Sequence, residues 1–283
     1  RTNSSGMIGL LTEEIATTPH AGRIILGAQE EASRHNLTLA IINSELNPDP
    51  EVPPVQVQAF LDRQVDGIIY ATVYHDEIVA PENLSARPAV LIGARDSTGT
   101  LPAVLPNERA GAVAVVEMLV ARGHRRIAFA ASAEDVPATR GRLGGYLEAM
   151  AAAGLSTEGL VAEGSSDARG GYAATNVLLD AAPTALFCYN DRMAMGAYRA
   201  AGERGLSIPG DLSVVGFDDQ APIPESLFPP LTTVALPHYE MGAWAVDALY
   251  AVVSGSSGGA ASVSPTLLPC PLVERESVAA PRA

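Results

Sequence analysis

The chain has 283 residues, 47% of them hydrophobic, enough to bury a large core and to form two lobes. Its 32 acidic and 18 basic residues leave a formal charge of −14, which excludes a surface that grips phosphate backbones with clustered positive charge. Every basic side chain is arginine, so lysine Schiff-base chemistry is excluded too, and no run reaches the roughly 18–20 apolar residues of a membrane span.

The opening residues RTNSSGMIGLL lack the charged start, apolar core and cleavage site of a signal peptide. Met7 to Thr12, Thr38 to Ser44, Gly67 to Val73 and Ala89 to Ala94 are apolar runs that predict buried strands. Residues 21–35 and 52–63 between them carry helical spacing. Four strand–helix units in about a hundred residues predict a doubly wound parallel sheet. The pattern then restarts, with a helix over 107–122, a turn at Gly123-His124 and a strand from Arg126 to Ser132. Helices over 140–153 and 167–181 flank a strand near Leu160 to Glu163. The only basic cluster, His124-Arg125-Arg126, sits beside a predicted strand and makes a poor DNA grip.

Pro183 to Asp219 is the most informative stretch. Leu186 to Tyr189 predicts a buried strand, and Asn190-Asp191 supplies the side-chain oxygens that start helices. Met193, Ala194, Ala197 and Ala201 recur at helical spacing until Gly205. Leu212 to Phe217 is a second buried strand that delivers Asp218 and Asp219 at its carboxyl end. Ligands of open parallel sheets bind outside strand carboxyl ends, so Asn190 and Asp218 mark a candidate site. Leu231 to Leu236 then predicts a strand, Tyr239 to Val253 a helix, Ser254 to Ser264 a Gly/Ser-rich loop and Thr266 to Val273 a final strand. One helix and one strand make a poor independent domain, so they are expected to return and complete the earlier lobes. Cys188 and Cys270, both in predicted apolar strands, read as buried thiols of a reducing compartment.

MIGLL at Met7, VDGIIYA at Val65, GHRRIAFA at Gly123, RGRLGGYLEAM at Arg140, the Pro183–Asp219 stretch, PPLTTVALPHYEMG at Pro229 and PCPLVERES at Pro269 follow one another in a characteristic order. In that order they resemble the lactose-repressor (LacI/GalR) family of transcriptional regulators over almost the whole chain. The resemblance implies an α/β fold of two Rossmann-like lobes, periplasmic-binding-protein-like of type I, joined by three crossovers with a ligand cleft between them. Applied here it gives a hinge remnant at 1–5, an N-terminal lobe of 6–105 plus 237–267 and a C-terminal lobe of 106–236 plus 268–283. It also implies a homodimer, through helices near 69–84 and 191–204 and the APIPESLF segment at Ala221, and a helix-turn-helix head preceding this chain that would carry the contact to operator DNA.

The same resemblance assigns ligand-binding roles. Asp218 matches an aspartate that accepts hydrogen bonds from ligand hydroxyls, and Asn190 a ligand-contacting asparagine, with Asp191 expected to take the plainer role of capping the helix. Arg142 matches an arginine whose planar fork reaches the ligand. His238 lies at a crossover, and Thr12, Glu13 and His20 flank the end of the first strand. The usual aromatic platforms are absent, with Ser166 and Ala21 where aromatics are common; Tyr70, Tyr74, Tyr189 and Phe217 remain as candidates. Gly93 and Pro106-Asn107 are further departures from the family pattern. The expected function is therefore the effector-sensing and dimerisation core of a cytoplasmic repressor that binds a small sugar-like metabolite, without cofactor, metal or membrane. The alternative is an extracytoplasmic sugar-binding protein of a transporter. An enzyme is disfavoured, because no phosphate loop, nucleophile elbow or metal-spaced His/Cys group is present.

Overall fold

Apolar runs too short for helices and amphipathic stretches too long for strands alternate along the chain, and they fold as parallel strands and covering helices. The structure is a computed structural model that describes residues 4–13, 18, 21–44, 54–72, 77–255 and 264–282. The chain divides into two compact units, Arg1–Pro106 with Pro237–Leu268, and Asn107–Leu236 with Pro269–Ala283.

In chain order the first unit begins with β1 (Met7–Glu13), α1 (Ala21–Arg34), β2 (Thr38–Ser44), α2 (Pro54–Asp62) and β3 (Gly67–Ala71). β4 (Glu77–Ile78), a 3-10 turn at Glu82–Ala86, β5 (Ala89–Ile92), β6 (Arg95–Asp96) and β7 (Ala103–Pro106) follow. The second unit contributes α3 (Glu108–Ala121), β8 (Ile127–Ser132), α4 (Pro137–Ala152), β9 (Val161–Gly164), α5 (Ala168–Leu179) and β10 (Ala185–Cys188). It continues through α6 (Asp191–Glu203), β11 (Ser213–Val215), α7 (Ile223–Ser226) and β12 (Thr233–Val234). The chain then returns to the first unit with α8 (His238–Val253) and β13 (Thr266–Leu268), and ends in the second with β14 (Leu272–Val273).

The first unit's main sheet has the order β2-β1-β3-β5-β7-β13, with every neighbour parallel. β3 is buried along its whole length, as a central strand covered on both faces must be, whereas the edge strand β2 alternates. Strand order reverses at β1/β3, the place in an open parallel sheet where ligands bind at the carboxyl ends. One face is covered by α1 and α8, whose Ile24, Ala28, Met241, Ala245 and Leu249 pack with Ile8, Leu10, Ile69 and Val90. The two helix backbones touch. A Cβ on Gly242 would lie 2.1 Å from Ile24 O, and one on Gly27 2.0 Å from Tyr239 O, so neither position accepts a side chain. α2 covers the other face, with Val57 and Phe60 against Leu11, Ile68, Tyr70 and Leu91.

The second unit repeats this plan on a parallel sheet of order β9-β8-β10-β11, reversing at β8/β10. Phe129 and Phe187 centre its core, and Tyr146 stacks on Phe129 at 5.2 Å while donating its buried hydroxyl to Ile127 O at 2.8 Å. β12 and β14 pair antiparallel, and single bridges from Val215 to Thr232 and Asp218 to Ala235 lay the 231–236 segment beside β11.

Four expectations need correction. The helix expected from 140 starts at Pro137, because proline at the first helical positions follows extended Val136 and loses no hydrogen bond there. The final strand expected over Thr266 to Val273 is two strands. Pro269 and Pro271 interrupt it, and its halves pair with β7 in one unit and β12 in the other. The strands expected at 212–217 and 231–236 shrink to three and two residues, since Asp218 and Asp219 turn the chain with φ of 104° and 50°. Within 69–84, a proposed helical dimer segment, the described residues are strand ends and the start of the 3-10 turn. Most of the Gly/Ser-rich loop, 256–263, lies outside the described residues.

Candidate functional site

The second unit's switch point gathers a group of buried charged residues, Arg142, Asp191 and Asp218. Asn190 follows β10 directly, in extended conformation with φ −147° and ψ 173°. Its Oδ1 accepts from Met193 N at 2.8 Å, and its Nδ2 donates to Ser166 O at 3.1 Å. Asn190 is thus the N-cap of α6, correcting the expectation that Asp191 caps it. Asp191 is instead fully buried, accepting from Thr233 Oγ1 at 2.6 Å and from Gln220 N at 2.8 Å. Burial, reinforced by the nearby Asp218 charge, pushes its carboxyl up to about 8.

Asp218 follows β11 by three residues. Its backbone is clamped, N donating to Val234 O at 2.8 Å. Its side chain is not a solvated strand-end carboxylate: the residue is 9% exposed. Oδ1 lies 2.9 Å from Arg142 Nη2, but the geometry is too misaligned for a hydrogen bond, and this buried oxygen has no hydrogen-bond partner.

Arg142 projects from the second turn of α4 and is buried. Its Nε donates to Glu108 Oε2 at 2.7 Å, Nη2 to Glu108 Oε1 at 3.2 Å and Nη1 to Tyr189 O at 2.6 Å. The guanidinium also lies over the rings of Phe217, 3.9 Å from the centroid, and Tyr189, 4.6 Å. Burial opposes its charge, but the Glu108 and Asp218 carboxylates outweigh that and raise its pKa above the ordinary arginine value. Glu108, first residue of α3 after the Asn107 cap, is raised by burial against the opposing pull of Arg142. Three of the arginine's five N–H donors are therefore spent inside the protein, so it does not present a free fork.

Other sequence-predicted residues fall elsewhere. Thr12 is the next-to-last residue of β1, at the first unit's switch point; it is fully buried and donates to Asn43 Oδ1 at 2.7 Å. His238 opens α8 of that unit and is buried. Glu13 closes β1, but its side chain, like His20 and Tyr74 entirely, lies outside the described residues. Tyr70 and Phe217 are fully buried core rings, which removes both as stacking platforms, and Tyr189 stacks on Arg142. Sequence reasoning missed Glu108 and the burial of Asp191. The signal for Glu108 was a carboxylate one residue past a helix-capping asparagine at a strand end; nothing local distinguished Asp191. Ser166 donates to Glu134 Oε1 at 2.9 Å.

The basic run is spent locally. His124 is buried between Thr184 Oγ1 at 2.9 Å and Ala279 O at 2.8 Å, while Arg125 and Arg126 donate to backbone carbonyls. Cys188 and Cys270 are free and buried. Among the described residues no helix is long and apolar enough to cross a membrane.

Residues 116–278 match the periplasmic binding protein-like domain family. An HTH-type transcriptional regulator of Streptomyces limosus is 34% identical over 260 residues, covering 88% of this chain and 73% of that protein. The transcriptional repressor CytR of Escherichia coli K12 is 30% identical over 282 residues, covering 98% and 81%. Among solved structures, a LacI-family regulator from Rhizobium etli superposes with a TM-score of 0.86 at 31% identity, covering 97% of this chain and 99% of that one. The regulator CelR in complex with cellobiose gives 0.77 at 26% identity, covering 97% and 85%. The lac repressor dimer bound to operator and an anti-inducer gives 0.78 at 27%, covering 99% and 96%. These relatives are regulators of transcription, not enzymes. Two α/β units of parallel sheet, charged side chains gathered at a strand switch point and this breadth of similarity place the chain in the LacI family of transcriptional regulators.

Proposed function

We propose that the second unit binds a small, uncharged polyhydroxylated metabolite at the carboxyl ends of β8, β10 and β11, as the effector-sensing and dimerisation part of a repressor. The observation that carries this reading is Asp218 Oδ1, a buried acceptor without a hydrogen-bond donor. Such atoms are rare in native proteins, and a ligand hydroxyl would supply the missing proton. Asn190, at the end of the neighbouring strand β10, keeps one amide hydrogen and one lone pair beyond its bonds to Ser166 O and Met193 N. The charges favour a neutral ligand: Glu108 and Asp218 against Arg142 leave one net negative charge, which disfavours a phosphate or carboxylate. The cellobiose complex of CelR supports a sugar.

The regulator relatives favour this reading over a transport-associated binding protein. We place DNA contact outside these residues, because the net charge is −14 and the one basic run is spent on its own backbone. A homodimer in the cytoplasm is proposed through the second unit's exposed apolar side chains, Met195 on α6 and Phe228 just after α7, the latter 89% exposed. The lac repressor dimer supports this state.

Calorimetric titration with neutral sugars and their phosphorylated counterparts tests the site. A neutral sugar should bind, and Asp218→Asn should weaken it about ten- to a hundredfold, since a hydrogen bond to a charged group is worth about 1.5–3 kcal/mol. Equal affinity in the variant removes Asp218 from the site. Tighter binding of the phosphorylated sugar overturns the charge argument.

A further inference from the structure

The first unit carries a second cluster of titratable side chains, on the outer part of the α1–α8 pair. Glu31 lies in the last turn of α1, His35 is the first residue past its end, and Asp247 faces them from α8. His35 Nε2 lies 2.8 Å from Asp247 Oδ1 and 3.4 Å from Glu31 Oε1, and the three ligand atoms all lie within 4.8 Å of one another. The imidazole is held in place by stacking on Tyr250, with centroids 3.9 Å apart and planes at 21°.

One imidazole nitrogen carries at most one hydrogen, so it can satisfy one of the two carboxylates that converge on it. Glu31 Oε2 is occupied by Arg34 Nη1 at 2.6 Å, which leaves Oε1 as the oxygen turned to His35. The neighbouring Glu30 accepts from the Tyr239 hydroxyl at 2.6 Å and so is engaged outside the cluster. Ligand bonds of about 2.0–2.2 Å in tetrahedral arrangement separate ligand atoms by about 3.4 Å. The Glu31–His35 spacing already meets that, and the His35–Asp247 pair needs to open by only about 0.6 Å.

We propose that Glu31, His35 and Asp247 bind a divalent transition-metal ion of the zinc class, which fastens α8 to α1. One imidazole nitrogen with two carboxylate oxygens suits zinc, cobalt or nickel, and the nitrogen selects against calcium and magnesium, which take oxygen ligands. Water completes the coordination on the open side, where the Asp247 side chain is 66% exposed and gives the ion its entry path. The helices are already in backbone contact at Gly27 and Gly242, so the three side chains are held on a rigid pair before the ion arrives. This site is independent of the sugar reading.

The test uses tag-free whole protein, titrated with zinc chloride by calorimetry and with cobalt(II) by visible absorption. Expected are one equivalent of zinc, cobalt bands that zinc displaces, and an apparent Tm raised by about 5–10 °C at zinc about a hundred times its Kd. His35→Gln and, separately, Asp247→Asn should each weaken binding at least about tenfold, since losing even an outer partner of a metal ligand costs about 10–100-fold. The exposure of Asp247 keeps the second variant's fold intact, which far-UV circular dichroism checks. Absence of saturable zinc binding overturns the proposal, as does zinc affinity unchanged in Asp247→Asn. Calcium or magnesium binding as tightly as zinc overturns the assigned class.

Discussion

Asp191→Asn probes the buried electrostatics behind the candidate ligand site. In the folded protein burial raises the Asp191 carboxyl from 3.8 to about 8. Between those values the folded state holds a proton that the unfolded chain has released. The stability contribution is therefore complete below about pH 3.8 and is lost as pH rises toward 8, at about 1.4 kcal/mol per pH unit. Asparagine is the neutral isostere of the protonated acid. Its oxygen accepts from Gln220 N, 2.8 Å from Oδ2, and its Nδ2 takes the place of Oδ1, 2.6 Å from Thr233 Oγ1, where the threonine hydroxyl turns from donor to acceptor. The variant keeps both bonds and no longer titrates. Urea unfolding of both proteins, followed by circular dichroism from pH 5 to 9, should show the variant gaining on the native protein by about 1.4 kcal/mol per unit up to about pH 7.5 and levelling above 8. Taking the difference cancels every titrating group that does not sense Asp191, which leaves only its coupling to Asp218 and Asp219. Parallel profiles would show that Asp191 is ionised when folded, and the reasoning from burial would fail.

Glu108→Ala should destabilise the second unit by about 3–5 kcal/mol, because it strips Arg142 of a partner inside the protein; Glu108→Gln, which retains an acceptor for Arg142 Nε, should lose less, and equal losses in a urea titration would refute the pairing argument. Burial holds His124 below its ordinary 6.5, and its Nε2 must be the protonated nitrogen because Ala279 O can only accept. Its contribution is complete above pH 6.5 and is lost as pH falls below that value, so His124→Gln should show a shallower acid loss in the same unfolding series. Phe228→Glu should shift sedimentation from dimer to monomer while circular dichroism stays unchanged, and a monomeric native protein at micromolar concentration would refute the proposed dimer surface.

The alternation of elements was legible in the sequence because each carries its own local signal. β3 is an unbroken apolar run bounded by polar residues, and α6 has a capping Asn190, small residues at helical spacing and a glycine after its end. The parallel sheets follow from that alternation, and open parallel sheets make strand carboxyl ends the place to look for Asn190 and Asp218. What only the tertiary structure decided is which polar groups are buried and with whom. Glu108 and Arg142 are 34 positions apart, and Asp191 and Thr233 are 42 apart, so no local pattern announces either pair. The split of the final strand depends on two sheets in different units competing for its halves, with Pro269 and Pro271 lacking the donors that would keep it whole. His35 and Asp247 meet across 212 positions because two glycines bring α1 and α8 into backbone contact. Propensity and periodicity act over a few residues, whereas desolvation and charge pairing act on whatever the completed fold places side by side.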